Sequence, residues 1–359
     1  MTNSSISRDA IVIVGAGIAG LDVALVLAER GFGPQVTVVA QFMPGDTSPE
    51  YTSPWAGCNF SAISDRDEKA LRWDRLGYAH LARMASDHGE ASFVARTPSV
   101  EYWDASVPHD KIRTMSEYLQ DFKMLPSSEL PPGVQCAMSC TSFTVNAPRH
   151  LEYLERRLRD HFGVRFVRRR LDGIRAAFAT PATRLVFNCT GNAARTLPGV
   201  EDPLCYPTRG QVVLVRAPAV TCNVMRHGVD YETYVIPRPG SNGNVILGGY
   251  MQRGNSDAAT YAHETASILS RTKALCPELR HQPLEVLAAF SGLRPSREGG
   301  ARVERSDMSV GGTMRALVHN YGAGGTGFQA GYGFAVDAVA TVEDVLSELR
   351  VGEPRMSRL

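Results

Sequence analysis

Three glycines near the N-terminus are spaced to receive a pyrophosphate. Gly15, Gly17 and Gly20 form the pattern G-x-G-x-x-G between a β-branched run at 11–14 and a helical pattern at 21–29. In such a turn the first glycine permits the tight bend, the second admits the pyrophosphate, and the third lets helix and strand pack closely. The amides at the start of the helix then face the phosphates. The pattern predicts a dinucleotide site at the end of a first strand.

A second glycine-rich stretch lies near the C-terminus. Residues 317–333 read LVHNYGAGGTGFQAGYG and hold six glycines beside two tyrosines, a phenylalanine and a glutamine. The stretch is apolar at both ends and runs into a helical pattern, unlike a polar linker. Because glycine has no Cβ, such a main chain can touch a flat ligand directly. We therefore expect this backbone to contact a bound group.

The end of the second predicted strand departs from the usual dinucleotide pattern. An acidic residue about twenty positions after the glycine turn normally binds the adenosine ribose. Here the β-branched run at 36–39 is followed by Ala40 and Gln41. The Gln41 amide can bond a ribose hydroxyl, but no carboxylate stands at this place. The departure argues against an ordinary NAD enzyme.

The elements that position these residues alternate between two kinds of structure. Periodicity predicts a helix starting at Asn146, strands at 164–168, 184–189, 210–216, 233–237 and 244–251, and a helix at 328–349. Strand–helix–strand elements thus lie at both ends of the chain, with antiparallel strands inserted between them. This order predicts an α/β fold with a discontinuous Rossmann-like nucleotide domain and a second domain built on an antiparallel sheet.

Composition excludes several classes of partner. The formal net charge is +1, and although only four of the 38 basic residues are lysines, 37 acidic residues are interspersed with them, so nucleic-acid binding is not expected. The first apolar run is broken by three glycines and Asp22, which argues against a signal peptide or a membrane span. The seven scattered cysteines show no metal-ligand spacing and are interpreted as reduced thiols.

Four stretches together resemble the D-amino-acid oxidases, which are FAD enzymes, and most closely the fungal ones. They read VGAGIAGL at 14–21, SPWAGCNF at 53–60, SGLRPSREGG at 291–300 and VHNYGAGGTGFQAGYG at 318–333. Lesser matches are RGQ at 209–211 and YVIPRP at 234–239, and the likeness runs from about residue 10 to 340. The resembled family tolerates the missing ribose carboxylate.

The resemblance implies a division of the chain into two domains. An FAD-binding domain takes residues 1–60, 144–205 and 287–359, and a substrate domain takes 61–143 and 206–286. The residues implied to hold FAD are Gly15, Ala16, Gly17, Ile18, Ala19, Gly20, Gln41, Thr47, Ser48, Ser53, Gly57, Cys58, Asn59, Leu171, Thr190, Gly191, Arg294, Gly324, Gly325, Thr326, Gly327, Phe328 and Gln329.

The resemblance also implies the reaction and the residues around it. Arg294 is expected to hold the substrate carboxylate, which suits a forked guanidinium, and Tyr234 to donate a second bond to it. Gln329 is implied in the pocket and Asn59 near the flavin ring. The Cα hydride of a D-amino acid then passes to flavin N5 without a side chain acting as base. Molecular oxygen reoxidises the flavin to give hydrogen peroxide, and the imino acid hydrolyses to a 2-oxo acid and ammonia.

One difference from a related family predicts which substrate side chain the protein accepts. D-aspartate oxidases carry an arginine where this chain has Met251, so neutral or apolar side chains are expected here. Arg226 and Arg253 nevertheless leave a D-aspartate oxidase open, and a glycine or sarcosine oxidase is a further alternative. A flavoprotein scaffold without turnover is the non-enzymatic alternative. His319 is interpreted as structural, and the role of His227 is left open.

The last three residues point to a location. Ser357, Arg358 and Leu359 form a conservative variant of the peroxisomal S-K-L signal. They predict recognition by the peroxisomal import receptor and residence in the peroxisomal matrix, where a peroxide-forming enzyme is at home. A homodimer is left open as an assembly state.

Overall fold

The computed structural model describes residues 9–62, 64, 67–228, 231–280 and 284–351. The helices are α1 Ile18–Glu29, α2 Glu68–Asp87, α3 His109–Tyr118, α4 Ala147–Asp160, α5 Ala262–Leu275, α6 Gly327–Ala340 and α7 Glu343–Val351. The strands are β1 Ile11–Val14, β2 Val36–Ala40, β3 Val94–Trp103, β4 Gln120–Met124, β5 Cys136–Val145, β6 Arg165–Arg168, β7 Leu185–Asn188, β8 Cys205–Arg216, β9 Asn223–His227, β10 Glu232–Pro237, β11 Asn244–Gly248, β12 Gln252–Arg253, β13 Glu285–Arg297, β14 Arg302–Val310 and β15 Thr313–Tyr321.

The first sheet has six strands in the order β14-β15-β7-β1-β2-β6. Strands β15, β7, β1, β2 and β6 run parallel, and β14 is an antiparallel edge strand. The central strand β1 is fully buried, as expected of β-branched residues covered on both faces. The carboxyl ends of the parallel strands therefore meet at one edge of the sheet, which is where open α/β sheets bind ligands.

The second sheet has nine strands and is mostly antiparallel. Its order is β12-β8-β11-β10-β9-β3-β5-β4, and β13 pairs with β8. One row of directly opposed residues crosses it from β13 to β3 through Phe290, Val212, Gly248, Tyr234, Met225 and Glu101. Residues directly opposite each other share a face of the sheet. This row therefore fixes which side chains can meet above it.

Helices α1 and α6 cross closely because α6 is rich in glycine. A Cβ on Gly331 would stand 2.5 Å from Oδ2 of Asp22, a residue of α1 that is 2% exposed. On the other side of α6, a Cβ on Gly77 of α2 would stand 1.6 Å from the Gln329 carbonyl oxygen. Part of the glycine content of 317–333 thus serves helix packing and not ligand contact.

The predicted α/β fold with two kinds of sheet is confirmed. The predicted strand at 244–251 divides, because β11 ends at Gly248 and β12 begins at Gln252. The predicted helix at 328–349 also divides, since α6 ends at Ala340 and α7 begins at Glu343. The domain boundaries stay a prediction. Among the helices of the described ranges, none has the length and apolar character to cross a bilayer.

Candidate active site

The residues predicted to hold FAD converge from distant parts of the chain. The turn 15–17 follows β1, Gln41 follows β2, Leu171 lies beyond β6, Thr190 and Gly191 follow β7, and the loop 322–326 follows β15. All of these positions lie at the carboxyl edge of the parallel sheet. The fold thus assembles most of the predicted cofactor residues at one place.

The two helices that begin at this edge fit a ligand carrying negative charge. Helix α1 starts after Gly17 and helix α6 after Thr326, and neither N-cap residue makes a side-chain cap. Neither helix has an acidic residue in its first turn. Neither helix dipole is therefore neutralised by its own N-cap or by a first-turn carboxylate, which suits an anionic group, although the Ile18 amide of α1 already donates to Ser53 Oγ. A pyrophosphate at α1 and an electron-rich flavin at α6 match this arrangement.

The segment that follows β2 folds over the start of α1. The Ile18 amide donates to Ser53 Oγ at 3.1 Å, and the Tyr51 hydroxyl donates to the Ala16 carbonyl at 2.6 Å. The Trp55 indole donates to the Ser48 carbonyl at 3.0 Å, which closes the segment on itself. Ser48 and Ser53, both predicted cofactor residues, are thereby held beside the glycine turn, and the predicted Thr47 precedes them in an exposed position.

The next few residues leave this edge and join the second sheet. The Val145 amide donates to the Cys58 carbonyl at 2.9 Å, and the Phe60 amide donates to the Phe143 carbonyl at 2.8 Å. Cys58 has φ +72°, a left-handed conformation that non-glycine residues rarely adopt and that often marks a functional segment. Burial raises the pKa of its thiol well above the usual range. The segment 57–60 therefore bridges the two sheets.

Gln41 stands where a carboxylate usually binds the adenosine ribose, and the nearby carboxylate of Asp46 is already paired with an arginine. Gln41 is exposed, and its carbonyl accepts from Arg168 at 3.4 Å. Asp46, five residues on, pairs with the same Arg168, and hydrogen bonding to this arginine lowers the pKa of Asp46. Thr190 Oγ1 donates to Asn188 Oδ1 at 2.7 Å, which fixes the turn after β7.

Arg294 and Tyr234 lie on the second sheet, each above a glycine. A Cβ on Gly210 of β8 would stand 2.1 Å from Arg294 Nη1, and a Cβ on Gly248 of β11 would stand 2.1 Å from the Tyr234 ring. Strands β8 and β11 are neighbours, so the two side chains lie side by side. Burial raises the pKa of Tyr234, and the nearby Arg294 guanidinium partly offsets that rise. We call these two residues the carboxylate clamp, after the role that the resemblance implies for them.

The main chain of Tyr250 orients the guanidinium. Arg294 Nη1 donates to the Tyr250 carbonyl at 3.1 Å. Gly325, whose carbonyl is a candidate acceptor for a substrate amine, lies close to the same arginine: a Cβ there would stand 3.9 Å from Arg294 Cδ. The glycine loop and the clamp therefore face each other across the two sheets.

A residue that the sequence reading did not single out lies beside the clamp. Met225 is directly opposite Tyr234 across the β9–β10 pair and is 8% exposed. Its Sδ accepts from Asn59 Nδ2 at 2.8 Å, so it also touches the residue predicted near the flavin ring. Val212, Ile236 and Ile246 complete an apolar surface around it. Met225 could have been found from the sequence only if the pairing of β9 with β10, which places it opposite Tyr234, had been predicted.

Two predicted pocket residues differ in their exposure. The Met251 side chain is 59% exposed, and its assignment to the substrate pocket stays a prediction. The Gln329 amide is buried and donates to the Ser61 carbonyl at 2.8 Å and to Asp74 Oδ1 at 3.2 Å. Because β11 ends at Gly248, Met251 no longer follows the alternation of that strand. Gln329 instead ties α6 to the segment after Phe60.

His227, left open by the sequence, belongs to a buried ion pair. Its Nε2 lies 2.8 Å from Glu101 Oε2 and its Nδ1 lies 3.0 Å from Glu232 Oε2. Burial disfavours the imidazolium, but the two carboxylates outweigh it and raise the pKa of His227 to about 10. Glu101 also accepts from Ser61 Oγ at 2.8 Å. This pair supports the segment that carries Asn59.

His319 has the environment of a structural residue. Its Nδ1 lies 3.2 Å from Asn188 Nδ2 and its Nε2 lies 3.1 Å from Ser306 Oγ. Burial lowers the pKa of His319 to about 4. The ring is therefore neutral near pH 7 and links β15 to its neighbouring strands.

The two arginines that left an acidic substrate open are both paired. Arg226 Nε donates to Asp104 Oδ1 at 2.8 Å, and Arg253 pairs with Glu298 at the surface. Arg226 also donates to the Pro132 carbonyl at 3.2 Å. Each guanidinium is therefore anchored by an acidic partner outside the clamp.

Comparison with known proteins shows which family the chain resembles. A family model described as "DAO: FAD dependent oxidoreductase" matches residues 10–340. The chain is 47% identical to a D-amino-acid oxidase of Schizosaccharomyces pombe over 344 residues, covering 94% of this chain and 97% of that protein. It is 32% identical to a D-aspartate oxidase of Cryptococcus neoformans over 385 residues, covering 92% of this chain and 95% of that protein.

Solved structures share the fold at low sequence identity. A glycine oxidase from Geobacillus kaustophilus matches with a TM-score of 0.70 at 19% identity, covering 93% of this chain and 94% of that one. An L-α-glycerophosphate oxidase from Mycoplasma pneumoniae, solved with FAD bound, matches with a TM-score of 0.68 at 14% identity, covering 92% of this chain and 94% of that one. The fold of this chain is thus shared with both of these proteins.

Proposed function

The chain belongs to the DAO family of FAD-dependent oxidoreductases, and we propose from this premise that it oxidises D-amino acids with neutral or apolar side chains. Each turnover converts the D-amino acid, oxygen and water into a 2-oxo acid, ammonia and hydrogen peroxide. The observation that carries the proposal is the carboxylate clamp, Arg294 beside Tyr234, set in an apolar surface opposite the glycine loop.

The clamp performs recognition and orientation. A guanidinium presents two parallel donors to a carboxylate, and a tyrosine hydroxyl adds a third. The bare surface at Gly210 and Gly248 lets both side chains lie flat, so that the substrate can sit above them. Held by its carboxylate, the substrate has its Cα fixed in one orientation, which is a large part of the catalytic effect in such reactions.

The glycine turn and loop would hold the cofactor. Residues 15–20 at the start of α1 fit its pyrophosphate, and residues 324–328 at the start of α6 fit the electron-rich end of the ring. When bound, FAD accepts two electrons from the substrate and passes them to oxygen. Aligned amides at the start of α6 stabilise negative charge there without having to reorient.

The surroundings of the clamp favour an uncharged substrate side chain. Met225, Ile236 and Ile246 are buried beside Tyr234 and offer no partner to a second carboxylate. The nearby Arg226 is already paired with Asp104. An acidic side chain would therefore be desolvated without compensation, which is costly. This supports neutral D-amino acids over D-aspartate.

A substrate panel with peroxide detection tests the proposal. The FAD-loaded protein is assayed with both enantiomers of alanine, methionine and aspartate, and with glycine and sarcosine. Turnover of D-alanine and D-methionine above D-aspartate and sarcosine is the expected result. Preference for D-aspartate, for sarcosine or for L-enantiomers would replace the proposed substrate class. If D-alanine bleaches the flavin colour without oxygen but no peroxide forms in air, the substrate class would stand and the acceptor would be a molecule other than oxygen.

We also propose that the enzyme resides in the peroxisomal matrix. The support is the C-terminal Ser357-Arg358-Leu359, which lies outside the described residues, together with the peroxide that the reaction forms. Deleting these three residues should move a tagged protein to the cytosol and abolish binding to the import receptor. A homodimer is proposed as an assembly state to be checked by sedimentation.

A further inference from the structure

Arg271 of α5 reaches across to both backbone segments that hold the carboxylate clamp. Its Nη1 donates to the Glu232 carbonyl and to Thr233 Oγ1, each at 2.7 Å, just before Tyr234. Its Nη2 donates to the Gly249 carbonyl at 3.0 Å, just before Tyr250. The Arg271 guanidinium therefore contacts the residue before Tyr234 and the residue before Tyr250, whose carbonyl accepts from Arg294.

The two segments are also joined to each other at this point. The Gly249 amide donates to the Glu232 carbonyl at 3.1 Å, so this carbonyl accepts both from Arg271 and from the second segment. The Tyr250 carbonyl in turn accepts from Arg294 Nη1 at 3.1 Å. Two hydrogen bonds, joined by the main chain between residues 249 and 250, thus link Arg271 to the guanidinium of the clamp.

Two aromatic rings hold Arg271 in place. Its guanidinium carbon lies 5.5 Å from the Tyr250 ring centre and 5.9 Å from the Tyr231 ring centre. Arginine favours such positions because its planar group can stack on rings while its N–H groups donate in the plane. A lysine could replace one donor but not the fork that reaches both segments.

We propose that Arg271 is a positioning residue for the substrate carboxylate, acting through the main chain of residues 232–233 and 249–250 on Tyr234 and Arg294. The inference rests on the proposed function, because it takes the carboxylate as the clamped group. Arg271 is assigned no contact with the substrate, because the hydrogen bonds of its Nη1 and Nη2 go to the main chain and to Thr233. Its removal should therefore loosen the clamp while leaving both clamp side chains present.

A second arginine near the same helix provides the matched control. Arg280 donates through Nε to the Lys273 carbonyl and through Nη2 to the Ala274 carbonyl, both at 2.6 Å, at the C-terminal end of α5. It also bonds backbone carbonyls, but none of them belongs to the clamp segments. Loss of Arg280 tests what general weakening of α5 does.

The experiment compares Arg271→Met, Arg271→Lys and Arg280→Met in the FAD-loaded enzyme. Propionate, a carboxylate that lacks the amine, is titrated by the change in flavin absorption, with propionamide as the uncharged control. KM and kcat for D-alanine are measured in parallel. Arg271→Met should raise the propionate Kd and the D-alanine KM by about tenfold, as expected when charge-assisted hydrogen bonds are misaligned. It should lower kcat less, and propionamide binding should not change.

Arg271→Lys should give an intermediate increase and Arg280→Met a change within about twofold in both constants. The proposal is overturned if Arg271→Met and Arg280→Met have equal effects, or if propionate and propionamide weaken together. Should Arg271→Met fail to fold, unchanged propionate binding in a folded Arg271→Lys would overturn it as well. Failure of the wild type to oxidise D-alanine would instead contradict the proposed function, since the propionate titration does not depend on turnover.

Discussion

The Arg294 guanidinium lies directly above Gly210, so close that a Cβ on Gly210 would stand 2.1 Å from Arg294 Nη1. The glycine is on β8 and the arginine on β13, so two paired strands cooperate to place one charged group. The space that the arginine occupies exists only because Gly210 has no side chain. A side chain at position 210 should therefore weaken substrate binding by displacing Arg294, without contacting the substrate itself.

Gly210→Ala is expected to displace the guanidinium and to lower kcat/KM for D-alanine by about ten- to a hundredfold, since a misplaced charge-assisted contact costs about 1.5–3 kcal/mol. Steady-state kinetics with peroxide detection provide the measurement. Gly254→Ala is the control, because nothing lies within 4 Å of its Cβ position and its φ of +73° makes the substitution a test of stability alone. Equal kinetic losses in the two variants would mean that Gly210 does not position Arg294.

Arg294→Ala should cost about 3 kcal/mol or more in kcat/KM, because it removes the charged partner of the substrate carboxylate in a buried setting. Arg253→Ala removes an exposed guanidinium paired with Glu298 and should change kcat/KM little. The measurement is kcat/KM for D-alanine in both variants. Unchanged efficiency in Arg294→Ala would mean that the substrate carboxylate is bound elsewhere.

Met225→Arg and Met251→Arg separate two assignments of the substrate side-chain position. Met225 is 8% exposed and opposite Tyr234, whereas Met251 is 59% exposed. We expect Met225→Arg to favour D-aspartate over D-alanine by about tenfold or more, as a new charged partner would. Met251→Arg should leave the ratio of the two efficiencies near its wild-type value. A shift towards D-aspartate in Met251→Arg but not in Met225→Arg would support the sequence-based assignment of Met251 to the pocket.

The His227 ion pair should make stability fall in alkali. The pKa of His227 is about 10 in the folded protein and near 6.5 when unfolded. Because the folded pKa is raised, the stabilisation is fully present below pH 6.5 and is lost as the pH rises through about 10. Urea unfolding of wild type and His227→Gln from pH 6 to 10.5 provides the measurement. A stability difference that stays constant over this range would show that His227 is not charged in the fold.

Local patterns in the sequence predicted the parts of the fold that depend on neighbouring residues. The turn at Gly15–Gly20 needs only a strand, three glycines and a helix, and all are adjacent in the chain. Helix α2 was not predicted, although Asp67 caps it by accepting from the Ala70 amide at 2.7 Å. The predicted helix at 328–349 was too long because its apolar stripe continues across the break at 341–342.

Features set by pairing between distant segments were beyond a single sequence. Met225 was missed because its place depends on the register of β9 with β10, whereas Arg294 and Tyr234 were recognised from their surrounding motifs. Gly331 was counted only within a glycine-rich stretch expected to contact a ligand, yet its absent side chain makes room for Asp22 of α1. No local pattern distinguishes a glycine that admits a helix from one that admits a cofactor.

The position of β15 in the first sheet has a consequence for biosynthesis. This strand, residues 313–321, inserts between β14 and β7, whose residues 185–188 are translated much earlier. The loop 322–326, which is predicted to contact the flavin, follows β15, so an emerging polypeptide can form the N-terminal turn long before this loop exists. We therefore expect cofactor capture only after β15 and this loop have been translated, and products truncated before β15 should be apoproteins with an unpaired β7 edge.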